Sequence, residues 1–335
     1  MNDPDDVFAR AWLSEKMSHG TDLTRAVAVD LGPSVWDFSP VGDVFLVTPG
    51  TGRTSGIAAL FWVYATGAET ITVATSRSDE WTSKFIEYLS DVGIMDVGSA
   101  ATQSDEELQN FLDAHEVHVV YGSNETIKRF KNLSTPEVGL YYGSRASFAI
   151  HDSETYRDKH VAQYYRDLVT YDGHGCLNTT TFYVPRLTDD LREMFVKITD
   201  KVREKYSDVA SKVVRSQFLA ESVIVPFVQE RVGDFLVRTE NIGERTTPLP
   251  VGYGTAFIVE YGDNPRIVRD EWNHTFASSV TLVGSGEKWL PILRKSGVSR
   301  ITDPGEAQNP SLLWTHDGGK NLVPMVRLVC METSK

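Results

Sequence analysis

Covalent chemistry in this chain is best served by Cys176, in the run Tyr171-Asp-Gly-His-Gly-Cys-Leu-Asn-Thr-Thr-Thr-Phe-Tyr-Val184. Gly173 and Gly175 bracket His174 and deliver Cys176 at a turn. Open backbone beside a thiol lets a substrate carbonyl reach the sulfur and lets N–H groups face the oxyanion that forms. Cys176 then reads as a nucleophile; the other reading is a small buried hydrophobe, the common fate of a free cysteine. His174 can lower the thiol pKa when protonated, or hand a proton to a departing alkoxide. Two residues apart on a turn, His174 and Cys176 can equally point away from each other.

A second stretch suits phosphate. Pro49-Gly-Thr-Gly-Arg-Thr-Ser-Gly56 places Gly50, Gly52 and Gly56 between an apolar strand and an apolar helix. Glycines there allow a tight turn and close approach of a phosphate to a helix amino terminus. The spacing is one residue longer than the dinucleotide fingerprint and lacks the Lys-Ser/Thr of a P-loop, so a purely structural turn is the competing reading. The next strand ends at Ser76 and Arg77, a pair suited to the 2′-phosphate of NADP(H), or a solvated loop. Gly122 and Ser123 repeat the strand–glycine–helix pattern, offering either further N–H donors or a helix cap.

The elements that must position these residues alternate. Apolar strands are expected at 43–48, 70–75, 116–121 and 138–142, with helices at 57–66, 81–92 and 105–114 between them. That order predicts a parallel sheet in a doubly wound α/β unit. Residues 143–147 read as a crossing point. A polar helical stretch over 151–170 leads to the Cys176 turn and a strand at 179–184. Two long helices, 189–206 and 210–232, precede strands at 254–261, 278–283 and 298–301, with a helix at 289–296. A last strand is expected at 325–329.

Composition narrows the function classes. The 335 residues are 41% hydrophobic and 24% charged, ordinary for a globular protein of about two domains. A net charge of −13 argues against nucleic acid or an anionic membrane as partner, so a phosphate-bearing ligand needs a local basic pocket. Cys176 and Cys330 are the only cysteines, with no metal-type spacing, which suits a reducing cytoplasm. The start, Met1-Asn-Asp-Pro-Asp-Asp6, is acidic where a signal peptide is basic, and the apolar run Ile57–Ala68 is too short to span a bilayer.

Taken together, Val119-Val-Tyr-Gly-Ser123, Tyr142-Gly-Ser-Arg-Ala-Ser-Phe148, Tyr171-Asp-Gly-His-Gly-Cys-Leu177, Gly297-Val-Ser-Arg-Ile-Thr-Asp-Pro-Gly305 and Trp314-Thr-His-Asp-Gly-Gly319 resemble the LuxC-type acyl-CoA reductases of the aldehyde dehydrogenase superfamily. The resemblance covers roughly residues 40–332. It implies a lead-in over 1–40, a nicotinamide-nucleotide-binding domain over 41–146 and a catalytic domain over 147–305 carrying Cys176. Residues 306–335 then return to the first domain or make an oligomer contact.

The implied activity is reduction of an acyl-CoA by NADPH to an aldehyde through a thioacyl-Cys176 intermediate. Pro49, Gly50, Ser76, Arg77, Gly122 and Ser123 would serve the cofactor, and Thr51 and His174 would act beside Cys176. Implied partners are an acyl thioester, an acyl-protein synthetase or transferase, and further copies of the chain. Three positions depart from the superfamily pattern. Tyr141 stands where a water-activating Glu is usual, which suits reduction rather than oxidation to an acid. Thr51 stands at the oxyanion Asn, and Ala74 at the cofactor-contacting Lys. The last two keep open a relative that binds acyl groups or an acyl-transferring partner without redox chemistry.

Overall fold

A computed structural model describes residues 20–32, 35–49, 53–75, 97–99, 104–224, 228–238, 251–272 and 277–330. The chain divides into two units, Met1–Ser144 with Ser311–Lys335, and Arg145–Pro310.

The first unit is built on a parallel sheet of β2 (Val44–Thr48), β3 (Ile71–Thr75), β4 (Val97–Ser99), β5 (Val117–Tyr121) and β6 (Val138–Tyr142), in the order β4-β3-β2-β5-β6. β2 and β5 are buried along their whole length, as a strand covered on both faces must be. The helix Arg53–Tyr64 follows β2 and buries Ile57, Leu60, Trp62 and Val63 in one core cluster. A helix at Gly20–Leu31 adds Ala26 to that cluster. Its buried Asp30 accepts the N–H groups of Asn321, Leu322 and Val323. β1 (Val35–Pro40) pairs antiparallel with the late strand β14 (Val326–Cys330).

The second unit contains β7 (Ala146–His151), β8 (Thr179–Val184), β9 (Val228–Val232), β10 (Phe235–Arg238), β11 (Phe257–Glu260), β12 (Ala277–Val283) and β13 (Arg300–Thr302). Their order is β13-β12-β7-β8-β11-β10-β9, parallel except for the hairpin of β9 with β10. The helices Asp158–Val169 and Asp189–Lys205 cover one face. Tyr164, Leu168, Phe195, Ile198 and Phe235 meet in that core. On the other face Phe148 stacks on Trp272 at 4.5 Å.

Several elements differ from the sequence expectation. The crossing point read at 143–147 holds the boundary between the two units, after Ser144, and its last two residues open a strand that the sequence reading omits: all six residues of β7 are buried between β12 and β8. Its apolar run is short, and short buried strands lack the alternation that marks exposed ones. The second long helix ends at Ile224 rather than continuing to residue 232. Pro226 stands two positions further on, and proline opposes helix in the residue before it. Residues 228–238 instead form the β9–β10 hairpin, turning at Gly233-Asp234. The helix expected at 81–92 lies outside the described residues.

The hairpin turn leaves no room for a side chain. Gly233 has φ +59°, and an added Cβ would sit 2.3 Å from Thr199 Oγ1, the atom that accepts the Asp234 N–H. Gly233→Ala is expected to destabilise the second unit by about 1–3 kcal/mol, read from urea denaturation. The same unit should be sensitive to acid. Burial holds the His151 imidazole below its ordinary value, and burial with neighbouring His151, Lys159 and Arg157 holds His160 down at about 4. The unfolded chain therefore binds protons that the fold refuses. The stability that these two imidazoles contribute is full above about 6.5 and is lost as pH falls toward and through 4. Chemical denaturation of wild type and His160→Gln side by side from pH 8 to 4 should show the wild-type midpoint dropping relative to that of the variant over this window.

Candidate active site

The helix Asp158–Val169 ends in a 3-10 turn, Thr170–Gly173, that carries the chain toward Cys176. Tyr171, Asp172 and Gly173 all adopt left-handed backbone, with φ of 55°, 53° and 73°. For a bulky residue such as Tyr171 this costs of order 1–3 kcal/mol and persists only where surrounding contacts enforce it. The enforcing contact is a second left-handed turn, Gly252, Tyr253 and Gly254, whose Tyr253 N–H donates to Asp172 O at 2.6 Å. The backbones approach so closely that a Cβ on Gly173 would meet Leu168 O at 2.7 Å and Gly252 Cα at 3.3 Å.

Asn178 then closes the Cys176 turn. It is 1% exposed. Its Oδ1 accepts the Gly175 N–H at 2.8 Å, and its Nδ2 donates to the carbonyls of Asp167 and Thr170, both at 2.9 Å. Ser147, buried at the start of β7, donates from Oγ to the Cys176 carbonyl at 2.8 Å and contacts Ser279 Oγ on β12 at 2.9 Å. The side chain of Cys176 is thus carried on backbone anchored from both sides. The residue is partly exposed between buried Gly175 and Leu177, and it is not in a disulfide. Partial exposure on a fixed turn is what a nucleophile needs; a buried hydrophobe would be enclosed.

The His174 ring lies directly over Gly252, where a Cβ would sit 2.2 Å from its Cε1, and edge-on to Tyr253 at 5.2 Å. These contacts make it a packing element of the two facing turns. Beneath the turn, Asp167 is fully buried and accepts the N–H groups of Gly305 and Ala307. Burial raises its carboxyl to about 7, against the pull of those N–H bonds and of Arg166 and Arg300. Arg300 carries a charge that could meet a CoA phosphate; its guanidinium instead donates to the carbonyls of Glu306, Ala307 and Asn309.

In the first unit the strand order reverses at β2, which lies between β3 and β5. Ligands of open α/β sheets bind at the carboxyl ends of strands at such a point. Pro49 follows β2, and Gly122 and Ser123 follow β5, so these three lie at neighbouring strand ends. Gly122 has no room for a side chain, since a Cβ would meet Thr126 Cγ2 at 2.7 Å. The Ser123 hydroxyl caps the helix Asn124–Leu133, accepting the Thr126 N–H at 3.2 Å. Gly50, Thr51, Ser76 and Arg77 lie outside the described residues.

At the ends of β5 and β6, Tyr121 and Tyr142 stack at 4.5 Å, and His316 sits edge-on to both. Trp314 packs on His316 at 4.6 Å, so the Trp314–Gly319 stretch belongs to the carboxyl edge of this sheet. Tyr141 faces the other way. Its hydroxyl is buried without a partner among the described residues, its ring lies over Gly139, and Lys131 is 4.9 Å from the ring centroid. Cys330 is exposed at the end of β14.

Sequence reasoning missed the anchoring residues. Asn178 reads as the lead into a strand, and Ser147 reads as a loop residue. Gly252-Tyr-Gly254 is a visible turn signal, but its pairing with residues 171–173 crosses about 80 positions.

Solved structures similar to this chain are aldehyde dehydrogenases. The enzyme from Bartonella henselae matches with a TM-score of 0.65 at 13% identity, covering 96% of this chain and 78% of that one. Aldehyde dehydrogenase 21 from Physcomitrella patens, in complex with the reaction product succinate, matches at 0.64 and 14%, covering 88% and 69%. A Mycobacterium tuberculosis aldehyde dehydrogenase complexed with NAD+ matches at 0.63 and 14%, also covering 88% and 69%. The fold is therefore that of the aldehyde dehydrogenases. No curated protein matches by sequence. No helix among the described residues is long and apolar enough to cross a membrane. The model of the acyl-CoA reductase (LuxC) family matches residues 40–220, more than half of the chain and including the Cys176 turn, and the protein belongs to that family of oxidoreductases acting on acyl groups.

Proposed function

We propose that the protein reduces an acyl-CoA to an aldehyde with NADPH, through a thioester on Cys176. The observation that carries this is the partly exposed thiol on a strained turn whose backbone is anchored by Asn178 and Ser147. The Cys176 thiolate attacks the thioester carbonyl, the bond from carbon to the CoA sulfur breaks, and CoA leaves as the thiolate. Exchange of one thioester for another is nearly balanced, so the protein's contribution is alignment. Reduction of the thioacyl group and collapse of the thiohemiacetal return the Cys176 sulfur and release aldehyde.

The residues at the carboxyl ends of β2 and β5 fit a dinucleotide. The strand order reverses there, and Gly122 leaves its backbone bare. Pro49, Gly122 and Ser123, with Gly50, Ser76 and Arg77, would hold the cofactor. When bound, the reduced nicotinamide supplies the hydride. The Ser76–Arg77 pair is the reason for naming NADPH over NADH. The similar aldehyde dehydrogenase from Mycobacterium tuberculosis holds NAD+, which supports a nicotinamide dinucleotide as a class. Tyr141, a phenol packed over Gly139 at the position of the water-activating Glu, supports reduction over oxidation to a free acid.

Three outcomes are expected. Incubation with acyl-CoA alone should add one acyl group to the protein by intact mass, and Cys176→Ala should remove both that adduct and NADPH-dependent aldehyde formation. Failure to acylate the wild type with short, medium and long acyl chains would overturn the reading. Asn178→Ala leaves the Gly175 N–H and two carbonyls unpartnered, and should slow acylation by about 10²-fold with the adduct still on Cys176. Titration with NADPH should quench tryptophan fluorescence saturably; its absence at millimolar levels would favour an acyl-binding relative without redox chemistry.

A further inference from the structure

We infer that the side-chain amide of Gln308 is a further catalytic group, donating a hydrogen bond to the thioester carbonyl oxygen while Cys176 is acylated. The inference rests on the nucleophile reading of Cys176 and adds the donor that this chemistry needs. Attack of the thiolate on the carbonyl carbon forms the new carbon–sulfur bond and moves the π pair onto oxygen. That negative oxygen must be met until its electron pair falls back and expels the CoA thiolate. Thr51 stands where the superfamily carries an Asn for this task, and its hydroxyl is a shorter donor than an amide.

Gln308 belongs to the same unit as Cys176. It is 3% exposed, and its Nε2 is buried with no hydrogen-bond partner among the described residues. A buried N–H left unpaired is costly, and native interiors keep few of them. The cost is removed when an acceptor reaches it.

The amide lies against the Cys176 turn. A Cβ on Gly175 would stand 3.5 Å from Gln308 Nε2 and 2.9 Å from Asn178 Oδ1. Gly175 and Cys176 share a peptide, which puts their Cα atoms about 3.8 Å apart. Two amides therefore border the residue before the thiol, and they differ in use. Asn178 spends both its oxygen and its nitrogen on backbone. Gln308 Nε2 is spent on nothing among the described residues. Gly175 is not in left-handed backbone, so glycine serves space at this position: a side chain would crowd Asn178 Oδ1 and stand in contact with the Gln308 amide.

Gln308 is also held in place. The Asp167 carboxylate accepts the N–H groups of Gly305 and Ala307, and the Arg300 guanidinium donates to the carbonyls of Glu306, Ala307 and Asn309. The backbone is pinned on both sides of Gln308, so its amide needs little reorganisation when the oxyanion forms.

Single-turnover mixing of the full chain with acetyl-CoA, octanoyl-CoA and palmitoyl-CoA, without NADPH, would follow CoA release and the acyl adduct by intact mass. Gln308→Met keeps the length and removes the donor, and should slow acylation by about 10²-fold or more. Gln308→Asn keeps a donor one methylene short and should fall between Gln308→Met and the wild type. Alkylation of Cys176 by iodoacetamide, read on its peptide by mass, forms no oxyanion and should run at the wild-type rate in both variants. The melting temperature of Gln308→Met should equal or exceed that of the wild type, because an unpaired buried donor is gone. Acylation of Gln308→Met at the wild-type rate overturns the role. Alkylation slowed in step with acylation, with a lowered melting temperature, makes Gln308 a support of the turn and overturns the role as well. A wild type that none of the three thioesters acylates is a separate result: it removes the nucleophile reading of Cys176, and the role of Gln308 with it.

Discussion

The second unit depends on one buried amide. Asn178 spends every polar atom of its side chain on backbone: one N–H at Gly175 and two carbonyls at the end of the helix Asp158–Val169. Helix ends leave carbonyls without intrahelical partners, and a buried one is costly unless something answers it. Here a residue on the far side of the turn does so. The side chain thereby converts a helix terminus into a fixed distance between helix, turn and β8. Removing it would leave three buried groups unsatisfied, so it works as an all-or-none clamp. The position of the Cys176 sulfur depends on that clamp more than on Cys176 itself.

Around the clamp the unit uses polar groups where a core would ordinarily use apolar ones. Ser147, Ser279 and Thr180 form a hydroxyl layer across β7, β8 and β12 at the ends nearest the turn. Asp167 holds residues 305–307 through two backbone bonds, and Arg300 holds the other side of the same segment through carbonyls. On the opposite face Arg238 pairs with Glu271 in the interior, and the Tyr183 hydroxyl donates to Glu271 and accepts from the Trp272 indole N–H. Buried charge of this kind adds little net stability against an apolar replacement, but breaking it strands a charge. Such an interior resists small adjustments, which suits a turn that stores strain at Tyr171 and Asp172.

The two facing left-handed turns explain why glycine recurs where it does. Gly173, Gly252 and Gly254 each have positive φ, and each faces atoms that a Cβ would strike. Glycine is required here for space as well as for backbone angle. His174, a candidate for acid–base chemistry by its position in sequence, is drawn into this packing, its ring set over Gly252.

Much of the architecture was legible in the chain. The strands β2, β5 and β6 declare themselves by apolar runs between turns, the glycine loop after β2 marks a strand–helix junction, and Cys176 stands out as a lone thiol among glycines. Those are local signals, set by propensity and pattern over a few residues. β7 was hidden because short, fully buried strands resemble loops in sequence, and the β9–β10 hairpin because its largely exposed first strand reads as a continuation of the helix before it. The supports of the thiol were hidden for a deeper reason. Ser147 lies 29 positions from Cys176, Gly252 lies 78 from His174, and Gly305 lies 138 from Asp167. The sequence alone determined that a thiol would sit on a glycine turn between a helix and a strand. Only the tertiary structure decided which distant residues pin that turn, because a hydrogen bond specifies geometry between atoms that the chain brings together only on folding.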